Sequence, residues 1–90
     1  MVHIENKRST GLENIDKDPD IDVPQDTLTE IQQWVSSVTF DPDDMLDTYR
    51  ESEFDSYIVG REHFNGAADT VSIRDEDNIA VLHLEEFLEQ

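Results

Sequence analysis

Three carboxylates with helical spacing are the side chains most able to act together. Asp43, Asp47 and Glu51 recur at every fourth position, which on a helix would place them in a row about 6 Å apart. That spacing is on the scale of successive charges along a nucleic-acid strand. Like charges placed in this way cost an isolated helix about 0.2–0.5 kcal/mol per pair. The row is therefore either a solvated helix face tolerated in a saline cytoplasm or a docking surface for a basic groove.

Further side chains could extend this partner-binding surface. They are Asp44 beside the row, Asp75, Glu76 and Asp77 at a predicted hairpin tip, and Trp34. The hairpin acids would enlarge the same negative field. Trp34 is the single tryptophan and lies beside the inner stripe of a predicted helix. It is either a rim residue of the core or an anchor at an interface, where tryptophan is enriched.

Metal sites and catalysis find little support in the sequence. The alternating Asp16, Asp18, Asp20 and Asp22 resemble the carboxylates of a calcium loop, but the required glycine and glutamate are missing from its sixth and twelfth positions. The absence of cysteine excludes disulfides and thiolate sites. Chains this short seldom build a deep cleft, so a hydrolytic carboxylate pair is the least favoured alternative. We expect no metal, no cofactor and no enzymatic activity.

The charge of the chain is its dominant property. With 23 acidic residues against 6 basic ones, the formal net charge is −17. Residues 26–55 are the most negative segment, with nine acids and one base. Such a chain is repelled by nucleic acids and anionic membranes and attracted to basic proteins. The scarcity of lysine and the excess of aspartate also fit the proteome of a salt-loving host, so functional and adaptive explanations both stay open.

A change of composition near Pro24 divides the chain. Residues 1–25 alternate acids with proline near their end, which predicts a flexible N-terminal arm. Residues 26–90 would then form one small acidic domain. The N-terminus lacks the apolar stretch of a secretory signal and no apolar run approaches the length of a membrane span, so we expect a cytoplasmic protein.

The periodicity of the domain predicts two helices, then three strands and a final helix. The first helix, over residues 27–38, would begin with a capping box of Thr27 and Glu30 and bury Leu28, Ile31, Val35 and Val38. A second helix would begin at Asp41, with Pro42 in its first turn, and turn Met45, Leu46, Tyr49 and Phe54 inward.

The second half of the chain alternates strand and turn signals. Strands are predicted over residues 57–59, 71–74 and 79–83, with turns at Asn65–Gly66 and over residues 75–78. A helix over residues 84–90 would turn Phe87 and Leu88 inward. The fold class is therefore α+β, with a three-stranded, mostly antiparallel sheet in the order α-α-β-β-β-α.

The run from Val71 to Phe87 resembles the hairpin and following helix of Phd/YefM-type antitoxins, in which a strand pair precedes an acidic, aromatic helix start. The turn is acidic here, where that family usually has glycine and a base. The basic, DNA-reading N-terminal part of the family has no counterpart in this chain. A regulatory or antitoxin-like adaptor is the second functional hypothesis, and it would dock a partner through apolar groups around Trp34 and Phe87.

The sequence predicts a non-enzymatic, acidic protein-binding module. Its most specific form is an inhibitor whose carboxylates imitate nucleic acid in the basic groove of a DNA- or RNA-binding protein, as in viral or mobile-element anti-defence proteins. The alternative is an antitoxin-like or regulatory adaptor from a halophilic host. The expected partner is a basic protein, without direct nucleic-acid or membrane contact, and the sequence does not predict an oligomeric state.

Overall fold

The computed structural model describes residues 1–5, 20–63 and 68–90. In chain order the elements are β1 (Val2–Ile4), β2 (Ile21–Val23), α1 (Gln25–Ser37), β3 (Tyr49–Phe54), β4 (Tyr57–Glu62), β5 (Thr70–Arg74), β6 (Ile79–His83) and α2 (Leu84–Leu88). Strands β1 and β2 form one antiparallel pair, and β3 to β6 form a four-stranded antiparallel sheet in chain order. The α+β class is confirmed, but the predicted order missed the two-stranded sheet and strand β3.

Strand β3 replaces the predicted second helix, which was wrong. Residues 41–48 form turns instead, in which the carboxylates of Asp41 and Asp44 accept hydrogen bonds from the N–H groups of Asp43 and Leu46, both at 2.9 Å. Such local bonds offer the backbone an alternative to the helix. Strand β3 then alternates exposed and half-buried residues, which is the period of a strand lying against a core on one face.

Helix α1 confirms most of the predicted inner face but not the predicted cap. Leu28, Ile31 and Val35 are buried, whereas Val38 is half-buried and lies just beyond the last helical residue, Ser37. The helix begins two residues before Thr27, after Pro24, and no side chain caps its N-terminus. The capping box of Thr27 and Glu30 therefore does not form.

The core lies between one face of the four-stranded sheet and the two helices. Within the sheet, Val59, Ile73 and Ala80 are neighbours across β4, β5 and β6, and all three are buried. The predicted turn over residues 75–78 and the hairpin that it closes are confirmed. The predicted turn at Asn65–Gly66 lies outside the described residues.

Both ends of the predicted N-terminal arm take part in the fold. Strand β1 pairs with β2, and the pair contributes Ile4, Ile21 and Val23 to the core. His3 joins the two strands on the exposed side, with Nδ1 2.8 Å from a carboxylate oxygen of Asp22 and Nε2 2.8 Å from one of Asp20.

The final helix α2 is shorter than predicted. Phe87 is fully buried, as expected, whereas Leu88 is 42% exposed. The Gln32 side chain donates a hydrogen bond of 3.0 Å from Nε2 to the carbonyl of Phe87 and so ties α2 to α1. In the part of the chain that the structure describes, no helix is long and apolar enough to cross a membrane.

Candidate protein-binding surface

The predicted partner-binding acids lie at opposite ends of the four-stranded sheet. Residues 41–48, referred to below as the acidic loop, lead into the first residue of β3. The turn over residues 75–78 follows β5 at the other end, where β3 finishes. A six-residue strand spans about 17 Å. Asp43, Asp44 and Asp47 are therefore separated from Asp75, Glu76 and Asp77 by about the length of one strand.

Glu51 belongs to neither group. It lies on β3 and accepts a hydrogen bond of 2.8 Å from the Tyr49 hydroxyl. The guanidinium of Arg74 lies 3.7 Å from the same carboxylate. Since the second helix is absent, the predicted row of Asp43, Asp47 and Glu51 has no backbone to align it.

The apolar anchors considered in the sequence are engaged inside the domain. Trp34 is half-buried and packs edge-on against Phe54, with ring centroids 5.8 Å apart. Phe87 is fully buried. Trp34 thus has the surroundings of a residue at the rim of the core, and Phe87 is inaccessible to a partner in the folded chain.

Asp47 closes the acidic loop. Its carboxylate accepts a 2.7 Å hydrogen bond from the N–H of Asp41 at the start of the loop. The same carboxylate accepts hydrogen bonds from both terminal nitrogens of Arg50. The Arg50 side chain, and secondly the Asp41 N–H, lower the pKa of Asp47 from 3.8 to about 2. Asp47 therefore stays ionised and shapes the loop.

The tip of the acidic loop presents two apolar side chains to solvent. Two turns, in which Asp44 N–H bonds the Asp41 carbonyl at 3.2 Å and Asp47 N–H bonds that of Asp44 at 3.1 Å, set the path of the backbone. Met45 is 79% exposed and Leu46 is 91% exposed. The sequence interpretation placed both on the inner face of a helix, so this exposure is a correction. The aspartates that form the turns were the signal against that helix.

An aromatic and cationic cluster supports the base of the loop. The Phe40 ring lies against the guanidinium carbons of Arg50 and Arg61, 4.9 and 5.4 Å from its centroid. The His63 ring stacks on Phe40 with centroids 5.2 Å apart. The backbone N–H of His63 donates a 2.8 Å hydrogen bond to the carbonyl of Thr48, the last residue of the acidic loop. These contacts hold the loop against β4.

Arg61 connects this cluster to helix α1. One terminal nitrogen donates hydrogen bonds to the carbonyls of Val35 and Val38, at 3.0 and 2.7 Å. The last turn of α1 has no basic residue of its own, so Arg61 supplies the positive charge at this end of the helix. The other terminal nitrogen donates to Asp69 at 2.9 Å. The second Asp69 oxygen lies 2.9 Å from Nδ1 of His63. Arg61 was not singled out in the sequence, because no spacing signal marks a contact across this many residues.

The turn after β5 is organised by Asp75. One of its carboxylate oxygens accepts hydrogen bonds from the N–H groups of Asp77, at 2.9 Å, and Asn78, at 2.8 Å. Glu76 and Asp77 are exposed. Asp75 therefore builds the turn, and the other two acids face solvent at its tip.

The arginines in the described ranges are all held in ion pairs. Arg50 pairs with Asp47, Arg61 with Asp69 and Arg74 with Glu51. Both lysines of the chain lie outside those ranges. Exposed acids occupy both ends of the sheet: Asp41, Asp43, Asp44, Asp55, Glu76 and Asp77. Others lie on α1 (Asp26 and Glu30), on β3 (Glu53) and on α2 (Glu85). No group of three or more potential metal ligands is present among the described residues.

The chain matches no protein-family model, and no match was found among curated proteins or solved structures. The likeness of residues 71–87 to antitoxins thus stays a local resemblance.

Proposed function

We propose that this chain is a non-enzymatic binding module for a cationic protein. The observation that carries the proposal is the unequal use of charge. Each described arginine is held by a carboxylate of the chain itself, while acids at both ends of the sheet face solvent. The outward field at these ends is negative, and such a field steers and holds basic partners.

The finer proposal is that the partner's basic surface is one that normally binds nucleic acid. The net charge of −17 supports this form. The predicted helical row of Asp43, Asp47 and Glu51 does not support it, because residues 49–54 form a strand. The acidic loop and the turn over residues 75–78 would have to contact separate basic regions of the partner.

Adaptation to salt is the competing explanation of the same acids. Carboxylates spread over both ends of a sheet also serve to keep a protein hydrated and soluble. The two explanations differ in one respect: a binding surface depends on where its charges lie, whereas solubility depends on how many there are.

Affinity capture with charge-matched variants tests the proposal. The chain would be immobilised and exposed to lysate of the cells that express it, at about 0.1 M and 1 M salt, where the screening length falls from about 10 to about 3 Å. Asp43→Asn with Asp44→Asn removes two charges from the acidic loop, and Glu76→Gln with Asp77→Asn removes two from the hairpin turn. Asp26→Asn with Glu30→Gln removes two from exposed positions on α1 and is the matched control.

Capture of cationic proteins at low salt, weakened by a loop or turn variant and not by the α1 variant, is the expected result. Equal weakening by all three variants would show that only the number of charges matters and would favour adaptation to salt. Failure to capture any cationic protein, or capture that is indifferent to salt, would overturn the proposal.

A further inference from the structure

We propose that the acidic loop is the anchor of the interaction, with Met45 and Leu46 entering an apolar pocket whose rim carries lysine or arginine. This inference rests on the proposed function and names the surface that performs it. Fully buried residues of the core are mostly leucine, isoleucine and valine side chains. The adjacent pair at positions 45 and 46 is instead 79% and 91% exposed. Exposed apolar groups within a polar rim are typical of interaction sites.

The exposure of this pair belongs to a closed loop. The Asp47 carboxylate joins the start of the loop, at Asp41, to Arg50 on β3. The Asp44 carboxylate accepts the N–H of Leu46 itself at 2.9 Å. A loop fixed in this way loses little conformational freedom when it binds, so more of the free energy of contact is available for affinity.

The charges around the pair determine the kind of partner. Asp41, Asp43 and Asp44 are exposed and precede the two apolar residues directly. A second copy of the chain would bring the same acids and another net charge of −17 to the contact, and like charges repel. A cationic rim around an apolar pocket complements both parts of the loop. Met45 suits such a pocket because its unbranched, polarisable side chain adapts to irregular apolar surfaces.

Site-specific photo-crosslinking tests this proposal with the full chain. A benzophenone amino acid would replace Leu46 in one variant and Leu88 in another. Leu88 is also solvent-accessible, at 42% exposure, but belongs to α2. Both variants would be irradiated in lysate of the expressing cells, and the crosslinked peptides of the adduct would be identified by mass spectrometry. We expect an adduct at position 46, absent at 88, that maps to apolar residues flanked by lysine or arginine.

The affinity of the identified partner then provides the quantitative test. Met45→Ser and Leu46→Ser should each raise the Kd of the complex with this partner about tenfold, as expected for losing a buried side chain of this size. Leu88→Ser should leave Kd unchanged. The two loop substitutions lie at exposed positions, and an unchanged circular dichroism spectrum would establish that the variants fold.

Other outcomes would contradict the proposal that the acidic loop anchors the partner. They are an adduct with a second copy of the chain, equal adduct yields at positions 46 and 88, no adduct at position 46, or an unchanged Kd for both serine variants. If capture of cationic proteins is still salt-dependent in these cases, the proposed function stands and only the anchor fails. If no cationic protein is captured at all, both fail.

Discussion

Arg50 and Arg61 are directly opposite one another on β3 and β4. Two like charges in such positions repel, and here each has its own carboxylate, Asp47 for Arg50 and Asp69 for Arg61. The Phe40 ring lies against both guanidinium groups. This arrangement joins the end of α1, the acidic loop and the sheet, so the loop's shape depends on contacts well outside it.

Arg61→Lys should destabilise the domain by about 2–3 kcal/mol. An ammonium group lacks the planar fork that reaches the carbonyls of Val35 and Val38 and the carboxylate of Asp69 together, and Asp69, largely buried, would keep only its contact with His63. The free energy of unfolding in urea measures the effect. Arg74→Lys is the control, because that pair is exposed and 3.7 Å long and should change stability by less than about 1 kcal/mol. Equal effects of the two substitutions would contradict the structural role of Arg61.

Asp47 should titrate with a pKa near 2, below its ordinary value of 3.8, because Arg50 and then the Asp41 N–H stabilise its ionised form. The stabilisation is present above pH 3.8 and is lost as the pH falls toward 2. Carboxyl carbon NMR measures the titration directly. In Asp47→Asn the Asp41 amide should exchange faster with solvent, whereas exposed Asp43→Asn should leave that rate unchanged. Titration of Asp47 near 3.8 would count against a closed loop.

The pairing of β1 with β2 should weaken as pH rises. Both ring nitrogens of His3 lie 2.8 Å from carboxylates, and only the imidazolium can donate from both. Asp22, and then Asp20, raise the pKa of His3 above 6.5. The stabilisation is thus complete below pH 6.5 and is lost as pH rises through the raised pKa. NMR titration of the imidazole, with amide exchange in Val2–Ile4, would measure both effects.

Aspartate variants identify the groups responsible for the His3 titration. Asp22→Asn should lower the His3 pKa more than Asp20→Asn does, since the Asp22 hydrogen bond is the larger influence. A His3 pKa at or below 6.5 in the unmodified chain, or no response to either substitution, would refute this account of the pairing.

Gly60→Ala should destabilise the sheet by about 1–3 kcal/mol. A Cβ at this position would lie 2.8 Å from both Cε1 of Tyr49 and the hydroxyl oxygen of Ser72, so the Tyr49 ring would have to move off β4. Burial, and then Glu51, raise the pKa of Tyr49 above 10. The displaced ring should therefore titrate closer to its ordinary value, as measured by NMR of the ring carbons.

A double-mutant cycle checks that the effect of Gly60→Ala acts through Tyr49. In a Tyr49→Ala background, the substitution at Gly60 should cost less stability than in the unmodified chain, because the ring has been removed. Ser72→Ala with Gly60→Ala provides the matched comparison for the hydroxyl. Strictly additive effects of Gly60→Ala and Tyr49→Ala would show that the ring does not require the glycine.

Where local pattern and burial agree, the elements could be predicted. Leu28, Ile31 and Val35 have helical spacing and are buried on α1. The hairpin of β5 and β6 follows from strand-forming residues on either side of an acidic turn. The backbone hydrogen bonds of a helix and of a short hairpin join residues that are close in sequence, so a local pattern is enough to place these two elements.

The acidic loop could not be predicted in this way. Met45 and Leu46 would face inward only if these residues formed a helix. The aspartates beside them favour turns instead. The sequence analysis placed Asp47 in a row of carboxylates. In the structure its carboxylate instead accepts hydrogen bonds from Arg50 and from the Asp41 N–H. The contact of Asp69 with Arg61 and His63 depends on the pairing of strands that no local pattern fixes.

The sequence by itself determined the strong negative charge, the α+β class and the buried face of α1, because charge is additive and the burial of a helix face follows local periodicity. Only the tertiary structure decided which acids face solvent and which hold arginines, and that Met45 and Leu46 lie outside the core. The physical reason is that a carboxylate's role depends on the cation or N–H group brought to it, and for Arg61 and Asp69 strand pairing and helix packing bring these groups together.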